Sequence, residues 1–290
     1  AGRTRVYVAP NGQRVLGIRG AHAGVLGFLT AFHTELFAGG VLRHGLGLAA
    51  LAGFLATVSG LILGWPRRGG WRALLRVRTR GHWLKTAYDL HRTAGVVAAP
   101  LFLLSLVTGL SLVYHETSED LLVGSLGGPP RPVMPRNLDT PANDVRSQTE
   151  LLSRAHAAMP EATATWFTPA SVRRPMIVRF RAAGASHPNG NSYVAVHPAS
   201  GEVLARHHAG SAGAGQHATN LRYPLHIGTA LGIVGKPLMV VLGLVPAVLF
   251  TTGLMFWLRR RRAASTPRRG ARGGSRSQQA PGGSSSCPRV

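Results

Sequence analysis

Three stretches of this chain, Gly45–Trp65, Thr93–Tyr114 and Pro237–Leu258, each run 21 or 22 residues without a charged side chain. About 20 apolar residues in a helix match the hydrocarbon thickness of a bilayer. A soluble helix of that length keeps a polar face, and none is visible here. The sequence therefore predicts a membrane protein, mainly α-helical, with three transmembrane helices. Residues 116–222 read differently. They hold one amphipathic segment, Asn143–Pro160, with Leu151, Leu152, Ala155 and Met159 on one side. Four short β-rich runs follow, "TATWFTP", "PMIVRFRA", "NSYVAVHP" and "GEVLARHH", separated by turn-forming residues. An α+β module outside the cytoplasm is expected there, made of one helix and a small antiparallel sheet.

Charge orients the chain. A net charge of +23 and a pI near 11.9 suit a nucleic-acid binder, but the distribution excludes that partner. Eight of the ten acidic residues lie between Glu116 and Arg222 beside ten arginines, so that region is nearly balanced. The excess sits in Arg67–Lys85 and from Arg259 onward, each block just beyond an apolar run. The loop "PRRGGWRALLRVRTRGHWLK" carries seven Lys or Arg and no acid, which places it in the cytoplasm. The first span then enters, the second leaves, 116–222 lies outside and the third span returns. The basic, Gly- and Ser-rich tail is expected to be disordered cytoplasmic chain attracted to the lipid surface. The single cysteine, Cys287, excludes a disulfide framework, a cysteine-ligated iron–sulfur cluster and a CxxCH haem attachment.

The organisation predicted is the end of a first small β-module at 1–20, a helix at the membrane surface and a span at 21–65, and the basic loop at 66–90. A span at 91–115, the outer domain at 116–222, a surface segment with the last span at 223–258, and the tail at 259–290 complete it. Part of this is duplicated. Placing His33 on His226, an offset of 193 residues, brings Gly60 onto Gly253 and Arg67 and Arg68 onto Arg260 and Arg261 without a gap. Upstream, "VYVAPNGQRVLG" is similar to "VAVHPASGEVLA". A unit of strand, turn, strand, histidine helix and span thus occurs twice. The second copy is preceded by another span and the outer module. A fourth, N-terminal span and a first outer module are therefore expected upstream of Ala1.

"AYDLHRTAGVVAAPLFLLSLVTG", the two spans of pattern "(F/L)H…(S/T)G" and the outer helix-plus-sheet region resemble the PepSY-associated transmembrane family over about residues 5–262. The resemblance implies a bacterial inner-membrane protein, often iron-regulated. It also implies an extracytoplasmic PepSY-like domain and, in its ferric-siderophore reductases, two b-type haems. Family members usually begin with a span bearing "HRW" or "HR" near its cytoplasmic end, which this chain lacks.

Bis-imidazole haem needs two histidines from separate helices at one membrane depth. His33 and His226 meet the depth condition, because each precedes a span that enters from outside. Each stands 27 residues before its matching glycine. If helical throughout, that is about 40 Å at 1.5 Å per residue, a whole bilayer. They are the expected ligands of an outer haem. His91, in "DLHR", begins the outward span and is the candidate ligand of an inner haem; the alternative is a polar residue at the headgroups. His115 is the substitute ligand for the outer haem. His44, about three turns beyond His33, flanks it.

The remaining signals are weaker. His207, His208 and His217 offer transient iron or zinc contacts without metal-site spacing. His22, His82, His156, His187 and His197 read as surface residues, and Glu116, Glu119 and Asp120 as a solvated helix end. Gly60, Gly109 and Gly253 each follow Ser or Thr inside a span. They serve close helix packing or clearance for a porphyrin. Trp65, Trp71 and Trp257 anchor the inner interface. The sequence contains no Gly-rich nucleotide fingerprint, P-loop or HExxH. Electrons would then come from a quinol or a separate cytoplasmic donor. Two functions remain open: transmembrane electron transfer that reduces a ferric siderophore or other ferric chelate, and a non-redox membrane-anchored PepSY domain that binds or inhibits a peptidase or senses the envelope.

Overall fold

The computed structural model describes residues 4–9, 14–20, 22–37, 40–65, 70–80, 82–129, 132, 134–135, 137–185 and 187–265. Strands β1 (Thr4–Val8) and β2 (Val15–Gly20) form an antiparallel hairpin with Val6 opposite Ile18. Helices α1 (Gly24–Glu35), α2 (Gly40–Gly64), α3 (Gly70–Leu74), α4 (Trp83–Val113) and α5 (His115–Leu126) follow. Then come α6 (Gln148–Ala157), strands β3 (Thr163–Thr168), β4 (Met176–Arg181), β5 (Ser192–Val196) and β6 (Val203–His207), and helices α7 (Ala214–His226) and α8 (Gly235–Ser265). Helices α2, α4 and α8 are long and apolar enough to cross a membrane, and the protein is a multi-pass membrane protein. Pro100 and Pro246 lie inside α4 and α8, as spans packed among other helices tolerate.

Helix α4 begins well before the apolar run, because its first turns carry a polar anchor. The Asp89 side chain is fully buried. It accepts from the Arg78 backbone N–H at 3.1 Å and from Arg78 Nε and Nη2 at 2.8 and 3.1 Å, with Arg92 Nη2 at 3.5 Å. A buried carboxylate persists only with such partners. Thr86 and Thr93 donate to the carbonyls of Arg78 and Leu74, both at 2.8 Å. These contacts lash the basic segment 74–78 to α4. Asp89→Asn, which keeps the shape but lacks the charge, is expected to free the segment that carries the exposed Arg76, Arg78 and Arg80. The measurement is the rate of limited trypsin cleavage at these arginines, expected to rise several-fold.

The α+β module follows from its pattern. Four antiparallel strands lie in the order β3-β4-β5-β6, with Val178 opposite Val194. Alternation along β4 sends Met176, Val178 and Phe180 to one face, where Leu151 and Ala155 of α6 and Met159 just beyond it cover them. The helix is shorter than the expected 143–160. Residues 142–144 form a separate 3-10 turn after Pro141, and α6 starts at its Ser147 cap, whose hydroxyl accepts from Glu150 N–H at 3.2 Å. Arg146 and Arg154 hold the Glu150 carboxyl below its ordinary range. Their support is therefore complete above the usual glutamate range and fades as pH falls through the lowered value. Gly190 closes the β4–β5 turn at φ +70°, where a Cβ would lie 1.9 Å from the Phe180 carbonyl oxygen, so no other residue fits.

The duplication is visible in element order. Hairpin β1–β2 leads to α1 and α2, as β5–β6 leads to α7 and α8. One expectation fails. The chain from each histidine to its glycine is not helical throughout. Helix α1 stops at Leu36, in left-handed backbone, and α7 stops before the 3-10 segment 229–234. Each histidine thus stands on a short helix of its own, ahead of the span.

Candidate functional site

Each helix break positions an imidazole. Leu36 and Phe37 adopt φ of 46° and 63°, which ends α1 just after His33 in its last turn. Gly228 (φ +79°) does the same after His226, the last residue of α7, and a Cβ there would press 2.6 Å from the Gly235 carbonyl oxygen. The two rings stack, with centroids 5.9 Å apart and planes 21° from parallel. The pair expected from the duplication is brought together.

His226 is also docked on α4. Its Nδ1 lies 3.1 Å from the Ser105 carbonyl oxygen and 3.2 Å from Thr108 Oγ1. A carbonyl oxygen only accepts, so Nδ1 carries the proton and Nε2 presents a lone pair. Gly109 is where the ring rests: a Cβ there would stand 3.0 Å from Cε1 of His226.

His91 lies nearer the other end of α4, roughly 27 Å along the helix from Gly109 at 1.5 Å per residue. Its Nδ1 is 2.7 Å from Thr252 Oγ1 of α8, and a Cβ at Gly253 would be 3.6 Å from its Cε1. Gly109 and Gly253 therefore each seat a histidine ring, beside either role expected for them. Ser59–Gly60, the matching pair in α2, has nothing within 4 Å of a Cβ at Gly60 among the described residues.

The other histidines go elsewhere. His44 Nδ1 sits 3.4 Å from Tyr114 Oη, with ring centroids 5.7 Å apart, and Gly47 makes room for that tyrosine. His115 opens α5, exposed, with Nε2 3.9 Å from Glu119. His207 stacks on Tyr193 at 5.0 Å, and His208 caps the turn at 209–211 with Nε2 3.9 Å from Glu161. His187 packs on Tyr223 at 5.0 Å, and His82 caps α4. No group of three His, Cys, Asp or Glu is arranged for a metal ion among the described residues. Trp257 lies under Arg261 at 4.4 Å and Trp83 under Arg259 at 4.8 Å; the Trp71 side chain lies outside the described residues.

Arg222 was not legible as a site residue. It is buried in α7, one turn before His226. It donates to the carbonyls of Thr219 and Ser111 at 3.1 Å and of His115 at 3.3 Å, and to Ser118 Oγ. It thereby ties the helix carrying His226 to the break between α4 and α5. Close backbone approach reinforces this: a Cβ at Gly215 of α7 would fall 2.5 Å from Val123 Cα of α5. The face of the four-stranded sheet away from α6 carries a cavity of about 320 Å³ lined by Pro132, Met134, Trp166, Thr168, Ile177, Arg179 and Tyr193.

No curated protein matches the chain. The model of one family, described as the PepSY-associated TM region, matches residues 1–260. With nearly all of the three apolar helices and the whole outer sheet inside that match, the chain belongs to the PepSY-associated transmembrane family.

Proposed function

We propose that this protein is a b-type haem protein of a bacterial inner membrane that moves electrons across the bilayer to a ferric siderophore or other ferric chelate outside. The facing of His33 and His226 carries this reading. Two metal–imidazole bonds of about 2 Å each, with about 1 Å more from each nitrogen to its ring centre, need centroids on the order of 6 Å apart with both in-plane Nε2 lone pairs turned toward the iron; the centroids are 5.9 Å apart here, and binding would turn the stacked rings edge-on to it. The residues fit the group in two further ways: His226 has its Nδ1 engaged and Nε2 available, and Gly109 leaves the ring room. His33 and His226 would hold the outer haem and His91 an inner one. Iron held by two imidazoles supplies one-electron transfer between its ferric and ferrous states.

The chain's own residues set the conditions. Helices α4 and α8 hold His91 and His226 near opposite ends of the bundle, and α1 and α7 bring His33 and His226 to one depth. One electron converts the substrate's ferric iron to ferrous, which the chelate holds more weakly. A quinol or a separate cytoplasmic donor supplies it, because the chain carries no nucleotide fingerprint. A visible spectrum of the purified membrane protein tests the reading. A sharp Soret band with reduced α-band features is expected, and a colourless protein after haem supplementation would sink it.

The cavity on the open sheet face, with Trp166 54% exposed, favours as a second reading a non-redox anchored domain that binds a peptidase; a colourless protein that still captures one would establish it. Orientation has its own test. Ala185→Cys, in the exposed β4–β5 turn, is expected to react with an impermeant thiol reagent from the periplasmic side and Arg80→Cys not to. The reverse pattern overturns the depth assigned to every histidine.

A further inference from the structure

Two spans carry the same device. In α4, Ser105 carbonyl, Thr108 Oγ1 and Gly109 meet the ring of His226. In α8, Leu249 carbonyl, Thr252 Oγ1 and Gly253 meet the ring of His91. The spacing i, i+3, i+4 puts all three groups on one helix face, and in each case the imidazole arrives from another helix. The threonine has a defined role in this arrangement. Its hydroxyl has one proton. Thr108 Oγ1 lies 2.7 Å from the Leu104 carbonyl oxygen and Thr252 Oγ1 2.6 Å from that of Val248. Those carbonyls only accept, so each hydroxyl proton stays on its own helix. Toward the imidazole the oxygen can then only accept, and the ring must carry its hydrogen on Nδ1.

We propose that Thr108 and Thr252 are positioning residues that hold His226 and His91 in the Nδ1–H tautomer and aim Nε2 away from the supporting helix as the free ligand atom. Gly109 gives the His226 ring room, since a Cβ there would stand 3.0 Å from its Cε1, while Gly253 meets the His91 ring in ordinary contact at 3.6 Å. As a route to iron ligation this rests on the haem reading. The tautomer itself does not. A hydrogen bond to the far nitrogen also raises imidazole basicity, so these threonines keep each ligand a strong donor and favour ferric iron.

The test uses full-length protein in detergent, with Thr108→Val, Thr108→Ser, Thr252→Val and Thr252→Ser. The first readout needs no haem. Nitrogen-15 spectra of the apoprotein histidines are expected to show Nδ1–H for His91 and His226 in the parent. In Thr252→Val, which leaves only the Leu249 carbonyl to accept from the ring, His91 is expected to gain a minor fraction of the Nε2–H form, and Thr252→Ser to restore the parent state. The second readout uses haem b. Thr108→Val, which leaves the Ser105 carbonyl in place, is expected to weaken haem retention about 10-fold, the lower end of what loss of such a partner costs. It is also expected to raise the midpoint potential, and Thr108→Ser to reverse both. An Nε2–H signal for either histidine in the parent overturns the proposal. So do valine variants whose tautomer, retention and potential match the parent. Tautomers that respond as expected in a protein that takes no haem uphold the positioning role and defeat the haem reading instead.

Discussion

His33→Ala and His226→Ala are each expected to abolish the low-spin signal of the proposed outer haem, and to do so identically. The two imidazoles stand 5.9 Å apart on equivalent helices of a duplicated unit. With the proposed haem bound, removing either imidazole would leave its iron one ligand short and high-spin, or release the haem. The double variant should add little to either single one, because both remove the same centre. His44→Ala is expected to change the spectrum far less, since that ring contacts Tyr114. The discriminating variant is His115→Ala. If it removes the low-spin signal while His33→Ala leaves it, the facing of His33 and His226 reflects shared ancestry without shared ligation. Electronic spectra of the oxidised and reduced proteins, with electron paramagnetic resonance, decide between these outcomes.

Arg222→Met is expected to destabilise the protein and to disturb the haem spectrum together. The guanidinium is buried and reaches acceptors on α4, at the α4–α5 junction and on α5. A hydrogen bond from a charged donor contributes about 1.5–3 kcal/mol, and a buried acceptor that loses its donor adds a desolvation cost. A loss of about 3 kcal/mol is therefore expected, measured as a fall in the thermal unfolding midpoint in detergent. Helix α7 also carries His226 one turn further on. The same variant should therefore broaden or shift the haem spectrum, whereas Phe180→Ala, in the core of the outer module, should lower stability by about 3–5 kcal/mol and leave the spectrum unchanged. A destabilised Arg222→Met with a parental spectrum would separate α7 anchoring from ligand placement.

The spans were readable because a bilayer imposes one simple demand, about 20 apolar residues per helix, and Gly45–Trp65, Thr93–Tyr114 and Pro237–Leu258 meet it within α2, α4 and α8 with only their ends displaced. Those ends moved because helix continuation depends on polar partners beyond the apolar run. Asp89 with Arg78 and Arg92 extends α4 at its start. The outer strands were readable from alternation, which sends Met176, Val178 and Phe180 to one face whatever they meet there. The partnership of His33 with His226 was suggested by a gap-free offset, a property of the chain in one dimension. What tertiary structure alone decided is how each imidazole is held. Nothing local distinguishes Thr108–Gly109 or Thr252–Gly253 from any small-residue pair that lets helices pack closely. Only the packing of α7 on α4, and of α4 on α8, sets an imidazole against each. Likewise Arg222 reads as one more arginine until α7 folds back on the α4–α5 break and buries it. A hydrogen bond between residues more than a hundred positions apart is a property of the folded surface, and the order of residues along a helix carries no record of which neighbour will meet it.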